Sequence, residues 1–219
     1  MSSRMAASLP KPLIELAGKP LLCHSLDVLS GLESVIATVV MCPAEQVEQF
    51  TRTCGERKKL HFIAGGASRQ HSVRLGIQHI SSSLVLDEND LILVHDAARC
   101  LLSKELARRC ITDAEAVGAV TAAVPVVDTL VGASAEERII ENTVPRDGLW
   151  AVQTPQVFKF SLLCRAHEKA AEEGKEYTDD ATLVMPLHPV HITPGEPSNF
   201  KVTAPDDLIL ARSLLESRI

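Results

Sequence analysis

The chain has 219 residues, of which 46% are hydrophobic, and its 22 basic and 28 acidic residues leave a net charge of −6. This length predicts a single domain over residues 1–219, and the negative charge argues against a protein that wraps a nucleic-acid backbone. The sequence shows no ~20-residue apolar run and no apolar signal sequence, so we expect no membrane partner. Its six cysteines form no C-x-x-C pair, and we expect a cytoplasmic protein with reduced thiols.

Short apolar runs alternate with segments of helical periodicity along the first half of the chain. The runs, at residues 35–41, 60–64, 91–94 and 119–127, are apolar throughout, which is typical of strands covered on both faces. Helices are predicted at residues 20–32, 44–54, 68–80 and 103–117, with Ser103 as the N-cap of the last. This alternation predicts an α/β fold with a doubly wound, Rossmann-like, mostly parallel sheet.

One segment breaks this alternation. Residues 126–146 contain two β-like runs around a polar turn, which predicts a hairpin that projects from the sheet as an arm. Two further helices follow at residues 161–174 and 178–185, then a short apolar run at 190–193 and a closing helix from about 205 to 216.

Polar residues follow several of the apolar runs, where open α/β sheets bind their ligands. Gly65 and Gly66 would let the backbone approach a ligand, although a plain tight turn explains them equally well. Asp96 could hold Mg²⁺ beside a phosphate, or could cap the next turn. Lys201 follows a loop rich in proline and glycine, and by itself it could be an ordinary solvated lysine.

Eight motifs in a fixed order carry more weight than any one of them. They are Lys11 in S-L-P-K-P-L, G-G-x-x-R-x-x-S-V at 65–73, H-D-A-A-R at 95–99, Asp128-Thr129, R-D-G-L-W at 146–150, T-P-Q at 154–156, Thr178-Asp179 and K-V-T at 201–203. In this order, with the hairpin in its place, the sequence resembles the 2-C-methyl-D-erythritol 4-phosphate cytidylyltransferase family. The resemblance covers the chain from Ser2 onward and implies a nucleotidyltransferase of isoprenoid biosynthesis that joins CMP from CTP to a polyol phosphate.

The resemblance also implies roles for the residues that would bind CTP. The triphosphate would be contacted by Arg4 and Lys11, and Lys201 would meet the reacting α-phosphate. The cytosine would be held by Gly66, the backbone of Ala67, and Ser72. Asp96 and Ala97 would lie by the ribose and phosphates, with Asp96 as a ligand of Mg²⁺, the expected cofactor.

The second substrate would lie between two subunits. The resemblance implies that Arg99 and Thr178 of one chain, with Thr154, bind the polyol phosphate together with Thr129 and Arg146 from the arm of the other chain. The arm would then make the protein a homodimer.

Three alternatives remain open. Ribitol-5-phosphate cytidylyltransferases look similar, although D-G-L-W after Arg146 and the H-D-A-A-R motif favour the methylerythritol enzyme. A catalytically impaired, nucleotide-binding dimeric relative is the second. A dehydrogenase is the weakest, since no G-x-G-x-x-G follows a first strand.

The beginning of the sequence departs from the family pattern. Members begin with an apolar strand and a glycine-rich loop, of which only Ser2-Ser3-Arg4-Met5 resembles the end. Because the first strand of a doubly wound sheet is normally central, its two neighbours would be left without a partner. We therefore expect the given sequence to be shorter than the native protein. If it is not, weak CTP binding and low stability are expected.

Overall fold

The structure is a computed structural model that describes residues 9–55, 57, 59–134 and 136–217. Strands and helices alternate along most of it, as predicted. The strands are β1 (Glu15–Leu16), β2 (Lys19–Pro20), β3 (Thr38–Cys42), β4 (Leu60–Ala64), β5 (Leu91–Val94), β6 (Ala119–Pro125), β7 (Leu130–Ala133), β8 (Ile140–Val144), β9 (Trp150–Lys159) and β10 (His191–Pro194). The helices are α1 (Leu21–Ser30), α2 (Val47–Cys54), α3 (Arg69–Ser83), α4 (Lys104–Val117), α5 (Phe160–Glu172), α6 (Asp180–Val184) and α7 (Pro205–Glu216).

Serine side chains cap two of the predicted helices. The Ser68 hydroxyl accepts a hydrogen bond from the His71 N–H at 3.2 Å, and the predicted cap Ser103 accepts one from the Leu106 N–H at 2.9 Å. Each bond satisfies an N–H group that the first helical turn leaves without a partner. At its other end α4 stops at Gly118, whose φ of 86° lies in the left-handed region that glycine adopts without steric cost.

The main strands form two ladders. β5, β9, β6 and β10 are hydrogen-bonded in that order, and β3 is bonded to β4. β10 is parallel to β6 and β3 to β4, whereas β9 is antiparallel to both of its neighbours. Arg69, which follows β4, lies 3.4 Å from Asp96, which follows β5, so the two ladders end at the same edge. All these strands except β9 therefore point the same way, and the predicted mostly parallel sheet is confirmed.

Helices cover both faces of this sheet. Val157 and Phe158 are consecutive residues of β9, so their side chains point to opposite faces. Val157 packs among residues of α1 and α4, and Phe158 among residues of α3 and α5. The predicted doubly wound α/β fold is thereby confirmed. No helix in the described ranges is long and apolar enough to cross a membrane.

β9 was not predicted from the sequence, although it is ten residues long and lies inside the larger ladder. Pro155 interrupts its pattern, and proline is normally confined to edge strands and bulges because it has no N–H to donate. In the structure the pairing of β6 with β9 shifts register between Thr121 and Ala123, opposite residues 153–155. This irregularity lets an internal strand accommodate the proline.

The hairpin predicted within residues 126–146 is present as β7 and β8, which pair antiparallel. A second, short hairpin of β1 and β2 was not predicted. Elsewhere in the fold, an apolar cavity of about 660 Å³ separates β3 from β5 and is lined by both strands and by side chains of α1 and α3.

Candidate active site

Residues from three predicted motifs meet around Asp96 at the carboxyl edge of the sheet. The Lys201 ammonium lies 3.1 Å from one carboxylate oxygen of Asp96, Arg69 Nε lies 3.4 Å from the other, and Arg99 Nε lies 3.9 Å from the carboxylate. Burial alone would raise the pKa of Asp96, but the hydrogen bond from Lys201 and the charges of all three cations bring it below its ordinary value. Asp96 is therefore ionised at neutral pH.

A chain of hydrogen bonds through Thr154 and His95 fixes the backbone of Asp96. The Asp96 N–H donates to Thr154 Oγ1 at 3.0 Å, which lies 3.0 Å from His95 Nδ1. His95 Nε2 lies 3.0 Å from the Arg99 carbonyl, which can only accept, so the ring proton is assigned to Nε2 and the Thr154 hydroxyl donates to Nδ1. Burial lowers the pKa of His95 to about 4, so the imidazole is neutral in this arrangement.

Buried neighbours position Lys201. Asn199 is fully buried and donates its side-chain N–H to the Thr154 carbonyl at 2.8 Å. Val202, also fully buried, donates its backbone N–H to the Ala98 carbonyl at 2.8 Å. The loop is thus fixed on both sides of Lys201, whose own side chain is 47% exposed and can reach a ligand.

Lys11 lies at the same loop. Its ammonium donates to the Thr203 carbonyl at 2.8 Å, two residues from Lys201. The carboxylate of Asp207 accepts from the Thr203 N–H at 2.6 Å and the Ala204 N–H at 2.8 Å, which fixes the loop at the start of α7. The structure therefore brings together two lysines that lie at opposite ends of the sequence.

The predicted cytosine-binding segment forms a tight turn after β4. The Gly66 N–H donates to the Ser72 hydroxyl at 3.0 Å, and that hydroxyl donates to the Ser68 carbonyl at 2.9 Å. A side chain at Gly66 would clash with the His71 ring, so the turn needs glycine there. The Ala67 N–H lies 3.4 Å from His71 Nδ1, a long hydrogen bond that a ligand could replace.

Arg69 has a role that the sequence analysis did not assign. Its Nη1 donates to Asp180 at 2.7 Å while its Nε faces Asp96. Asp180 is 1% exposed, and its N–H donates to the fully buried Gln156 side chain at 3.1 Å. Because a buried carboxylate is costly without a partner, Asp180 holds the Arg69 guanidinium in place beside Asp96. Arg69 and Gln156 belong to the predicted motifs at 65–73 and 154–156, whereas Asp180 lies one residue beyond the Thr178-Asp179 motif and was not predicted.

Gln70 connects the predicted polyol-phosphate loop to the same helix. Its side chain donates to the Lys175 carbonyl at 3.1 Å and accepts from the Tyr177 N–H at 2.8 Å. Thr178 follows directly and is exposed. The start of α3 therefore supports both the turn predicted to bind cytosine and the loop that carries Thr178.

Two predicted substrate ligands already have protein partners. Arg99 donates to the Asn199 carbonyl at 2.9 Å and to the Val152 carbonyl at 3.2 Å, and only 12% of its side chain is exposed. Thr154 is 4% exposed, and its hydroxyl is engaged with Asp96 and His95. Both residues organise the surroundings of Asp96, and their direct contact with substrate stays a prediction.

The arm residues are separate from this cluster. Thr129 and Arg146 are exposed, and Arg146 Nη1 donates to the Val127 carbonyl at 2.7 Å within the arm. Among the described residues, no hydrogen bond or ion pair joins either one to Asp96 or its cations. A contribution of the arm to this site would have to come from another subunit.

Three further predicted roles concern phosphate and metal. Arg4 lies outside the described residues. Ala97 is partly buried against the cluster that contains Leu22 and Cys42, and its contact with the nucleotide stays a prediction. In the described part of the chain no three His, Cys, Asp or Glu side chains converge as metal ligands. Mg²⁺ commonly binds one or two carboxylates together with substrate phosphates and water, and Asp96 fits that donor set.

Known proteins match nearly the whole chain. The family model for IspD, 2-C-methyl-D-erythritol 4-phosphate cytidylyltransferase, matches residues 1–217. The enzyme of that name from Geobacillus thermodenitrificans is 40% identical over 99% of this chain and 93% of its own. The one from Geotalea uraniireducens is 36% identical with the same coverage.

Solved structures agree with the sequence matches. The crystal structure of 2-C-methyl-D-erythritol 4-phosphate cytidylyltransferase from Thermus thermophilus superposes with a TM-score of 0.78 at 34% identity, covering 96% of this chain and 95% of that one. A 4-diphosphocytidyl-2C-methyl-D-erythritol synthase gives 0.82 at 35% identity, covering 94% of each chain. With its motifs in order, its fold and its full-length relatives in agreement, the chain belongs to the 2-C-methyl-D-erythritol 4-phosphate cytidylyltransferase family.

Proposed function

We propose that the chain transfers CMP from CTP to 2-C-methyl-D-erythritol 4-phosphate and releases pyrophosphate, a step in the synthesis of isoprenoid precursors. The observation that carries the proposal is the group of cations at the carboxyl edge of the sheet. Lys201 and Arg69 meet Asp96 there, and Lys11 lies at the loop of Lys201. Relatives with this activity in their names match nearly the whole chain.

The proposed reaction needs charge stabilisation rather than a general base. The attacking group is a phosphate monoester, whose second pKa of ~6 leaves its oxygen largely ionised at neutral pH. His95 precedes Asp96 and would be the obvious candidate for a general base. Its imidazole is neutral, but both ring nitrogens already have hydrogen-bond partners. It therefore serves to position Asp96. The remaining task is to stabilise the negative charge that builds up on the α-phosphate and the departing pyrophosphate.

The two lysines suit that task because their present partners are easily exchanged. Lys201 is about half exposed, although Asp96 is only 18% exposed. Arg69 and Arg99 stay beside the carboxylate, so we place this ion pair at the upper end of the ~0–1 kcal/mol of exposed pairs. Its ammonium can therefore turn from Asp96 to the α-phosphate at low cost. Lys11 is bonded to a neutral carbonyl and can turn to the triphosphate in the same way. Arg69, by contrast, is fixed by buried Asp180 and remains a permanent positive charge.

We propose Mg²⁺ as the cofactor, held by Asp96 together with the phosphates of CTP. The lowered pKa of Asp96 keeps the carboxylate ionised and able to bind a cation. When bound, Mg²⁺ neutralises charge on the triphosphate oxygens. Lys201 and Arg99 would exchange or share their contact with Asp96 as the nucleotide arrives.

We propose a homodimer in which the arm completes the polyol-phosphate site of a second chain. The arm exposes Val131 by 43%, Ile139 by 57% and Ile140 by 64%, and an isolated two-stranded hairpin is only marginally stable in water. A second subunit would cover these side chains. Arg146 suits the role because its planar guanidinium can bind a phosphate through two hydrogen bonds.

Two predictions concern the chain as a whole: one nucleotidyltransferase domain over residues 1–219, and a cytoplasmic location. The common carboxyl edge of the two ladders supports the first. For the second, all six cysteines are free thiols and five of them are buried, which suits a reducing compartment.

Pyrophosphate release with CTP and Mg²⁺ tests the function. We expect turnover with 2-C-methyl-D-erythritol 4-phosphate, and turnover with ribitol 5-phosphate slower by a factor of at least ~10² in kcat/KM, since an enzyme that hydrogen-bonds its substrate discriminates strongly against a mismatched polyol. A higher kcat/KM for ribitol 5-phosphate would favour the ribitol enzyme. Thermal stabilisation by CTP and Mg²⁺ without any turnover would favour the impaired relative.

A further inference from the structure

His167 is a buried histidine that the proposed reaction does not use. It lies on the face of α5 that packs Leu163, Ala166 and Ala170 against α3 and α6, and only 3% of its side chain is exposed. Neither of its ring nitrogens forms a hydrogen bond with another residue in the described part of the chain. Because nearly all buried polar groups have partners, and one without a partner is costly, the position of this imidazole needs a physical reason.

The imidazole faces the buried carboxylate of Asp180. Its Nε2 lies 3.6 Å from Oδ1 of Asp180, whose side chain is 1% exposed. This separation is longer than a hydrogen bond, so the contact is electrostatic. An ionised carboxylate can only accept, and the ring proton is therefore assigned to Nε2. The other oxygen, Oδ2, accepts from Arg69 Nη1 at 2.7 Å. His167 and Arg69 thus face the two oxygens of one carboxylate.

The backbone of Asp180 is fixed separately from its carboxylate. Gln156 is fully buried, and its side-chain oxygen accepts from the Asp180 N–H at 3.1 Å and from the Ala181 N–H at 3.0 Å. The carboxylate can still turn about the two bonds that join it to the backbone. Its orientation therefore depends on the groups that face its oxygens, which are Arg69 and His167.

The orientation of this carboxylate decides where the Arg69 guanidinium lies. Nη1 of Arg69 is bound to Asp180 while its Nε lies 3.4 Å from Asp96, so a turn of the Asp180 carboxylate moves the guanidinium relative to Asp96. Burial would lower the pKa of Arg69, but the charges of Asp180 and Asp96 raise it, and the guanidinium keeps its charge. A misplacement of about 1 Å in a positioned group can lower a rate ~10²-fold.

We infer that His167 is a positioning residue of the proposed active site, and that it acts through Asp180 on the Arg69 guanidinium. The Nε2–H of His167 stabilises Oδ1 of the buried carboxylate and keeps Oδ2 directed at Arg69. The effect of His167 on catalysis rests on the proposed cytidylyltransferase function, whereas its effect on the position of Arg69 does not.

Chemical modification of Arg69 tests the contact without using catalysis. Phenylglyoxal modifies arginine side chains, and mass spectrometry of peptides gives the rate at each arginine. Because the Arg69 guanidinium must leave Asp180 before it reacts, we expect its rate to rise ~5-fold or more in His167→Leu, in which a contact to a buried charge is lost. Arg109, which is 45% exposed and pairs with Glu196 at 3.4 Å, is the internal standard. An unchanged rate at Arg69 overturns the inference.

The conservative variant His167→Gln separates the contact from simple packing. The amide nitrogen of glutamine lies at about the place of imidazole Nε2 and donates a hydrogen bond, whereas leucine fills the space without a donor. We expect Arg69 to react near the wild-type rate in His167→Gln. Equal acceleration in both variants would show that His167 only fills space, and the inference would be wrong. If His167→Leu does not fold, His167→Asn takes its place, since its amide ends one bond short of Asp180.

His188→Leu is the matched control for the loss of a histidine. His188 is half-buried, and its Nε2 lies 2.9 Å from the carbonyl of Val117. Val117 comes just before β6, at the edge of the sheet opposite to Asp96. We expect no change in the rate at Arg69 in this variant. An acceleration equal to that of His167→Leu would assign the effect to a general loosening of the fold and would overturn the inference.

A double-mutant cycle in pyrophosphate release tests the path from His167 to the active site. We expect His167→Leu to lower kcat/KM for CTP ~3–10-fold, since it disturbs only the orientation of Asp180. In the double variant with Asp180→Asn the loss should equal that of Asp180→Asn alone, because two residues that act through one contact are not additive. Losses that multiply would overturn the inference. A wild type without turnover would refute the proposed function, and the modification rates would still decide whether His167 positions Arg69.

Discussion

Replacing Lys201 by methionine separates its proposed catalytic role from its structural one. In the structure Lys201 contributes one ion pair to Asp96, and its side chain is 47% exposed. Asp96 is only 18% exposed but keeps Arg69 and Arg99 beside it. We therefore take the pair at the upper end of the range for exposed pairs, about 1 kcal/mol, which for a domain of this size corresponds to a melting-temperature change of ~2–4 °C. If Lys201 instead stabilises the transition state, losing it should lower kcat by ~10²–10³, equivalent to ~2.7–4 kcal/mol.

Pyrophosphate release and thermal unfolding are measured on the same preparations of wild type, Lys201→Met and Lys159→Met. Lys159 is the matched control, since it also donates one side-chain hydrogen bond, to Asn89 at 2.9 Å, but lies away from Asp96. We expect Lys159→Met to retain kcat. A Lys201→Met protein with kcat within threefold of wild type would refute the assignment. A loss of kcat matched by a large fall in melting temperature would assign Lys201 a structural role instead.

Three more outcomes follow from particular contacts. Asp180→Asn removes the charge that fixes Arg69. Because a small misplacement of a positioned group can lower the rate ~10²-fold, we expect kcat/KM for CTP to fall ~10–10²-fold while the far-ultraviolet circular dichroism spectrum is retained. Wild-type kinetics would contradict the role of Asp180 in positioning Arg69. Arg146→Ala should raise KM for the polyol phosphate at least tenfold more than KM for CTP, and equal increases would argue against a shared site. Burial lowers the pKa of His95 from 6.5 to about 4, so the unfolded chain binds a proton at a higher pH than the folded protein does. The free energy of unfolding should therefore fall as pH drops from 6.5 towards 4, by at most ~1.4 kcal/mol per pH unit. Urea unfolding of the His95→Gln variant should show a smaller fall over the same pH range, and an equal fall would contradict this assignment.

Local patterns were sufficient to predict most of the elements. Ser103 caps α4 as its position before a helical segment predicts, because capping involves only residues within one turn. The glycine turn after β4 and the carboxylate after β5 were also placed correctly at the carboxyl edge, since parallel strands bring their ends to one side of a sheet. Strand pairing between distant segments was harder to predict. β9 was missed because Pro155 interrupts its apolar pattern, and its antiparallel direction depends on its neighbours β5 and β6.

The sequence by itself determined which residue types lie at the carboxyl edge and, through the order of its motifs, the family. Tertiary structure decided which of them are free to act. Arg69 and Asp180 are 111 residues apart in the chain, and their pairing, with the Thr154–His95 support behind Asp96, appears only when α3, β9 and α6 are packed together. The apolar cavity between β3 and β5 is likewise a property of the packed strands. The hydrogen-bond partners of strand backbones and the burial of side chains depend on contacts between segments that are distant in sequence, so a local pattern cannot predict them.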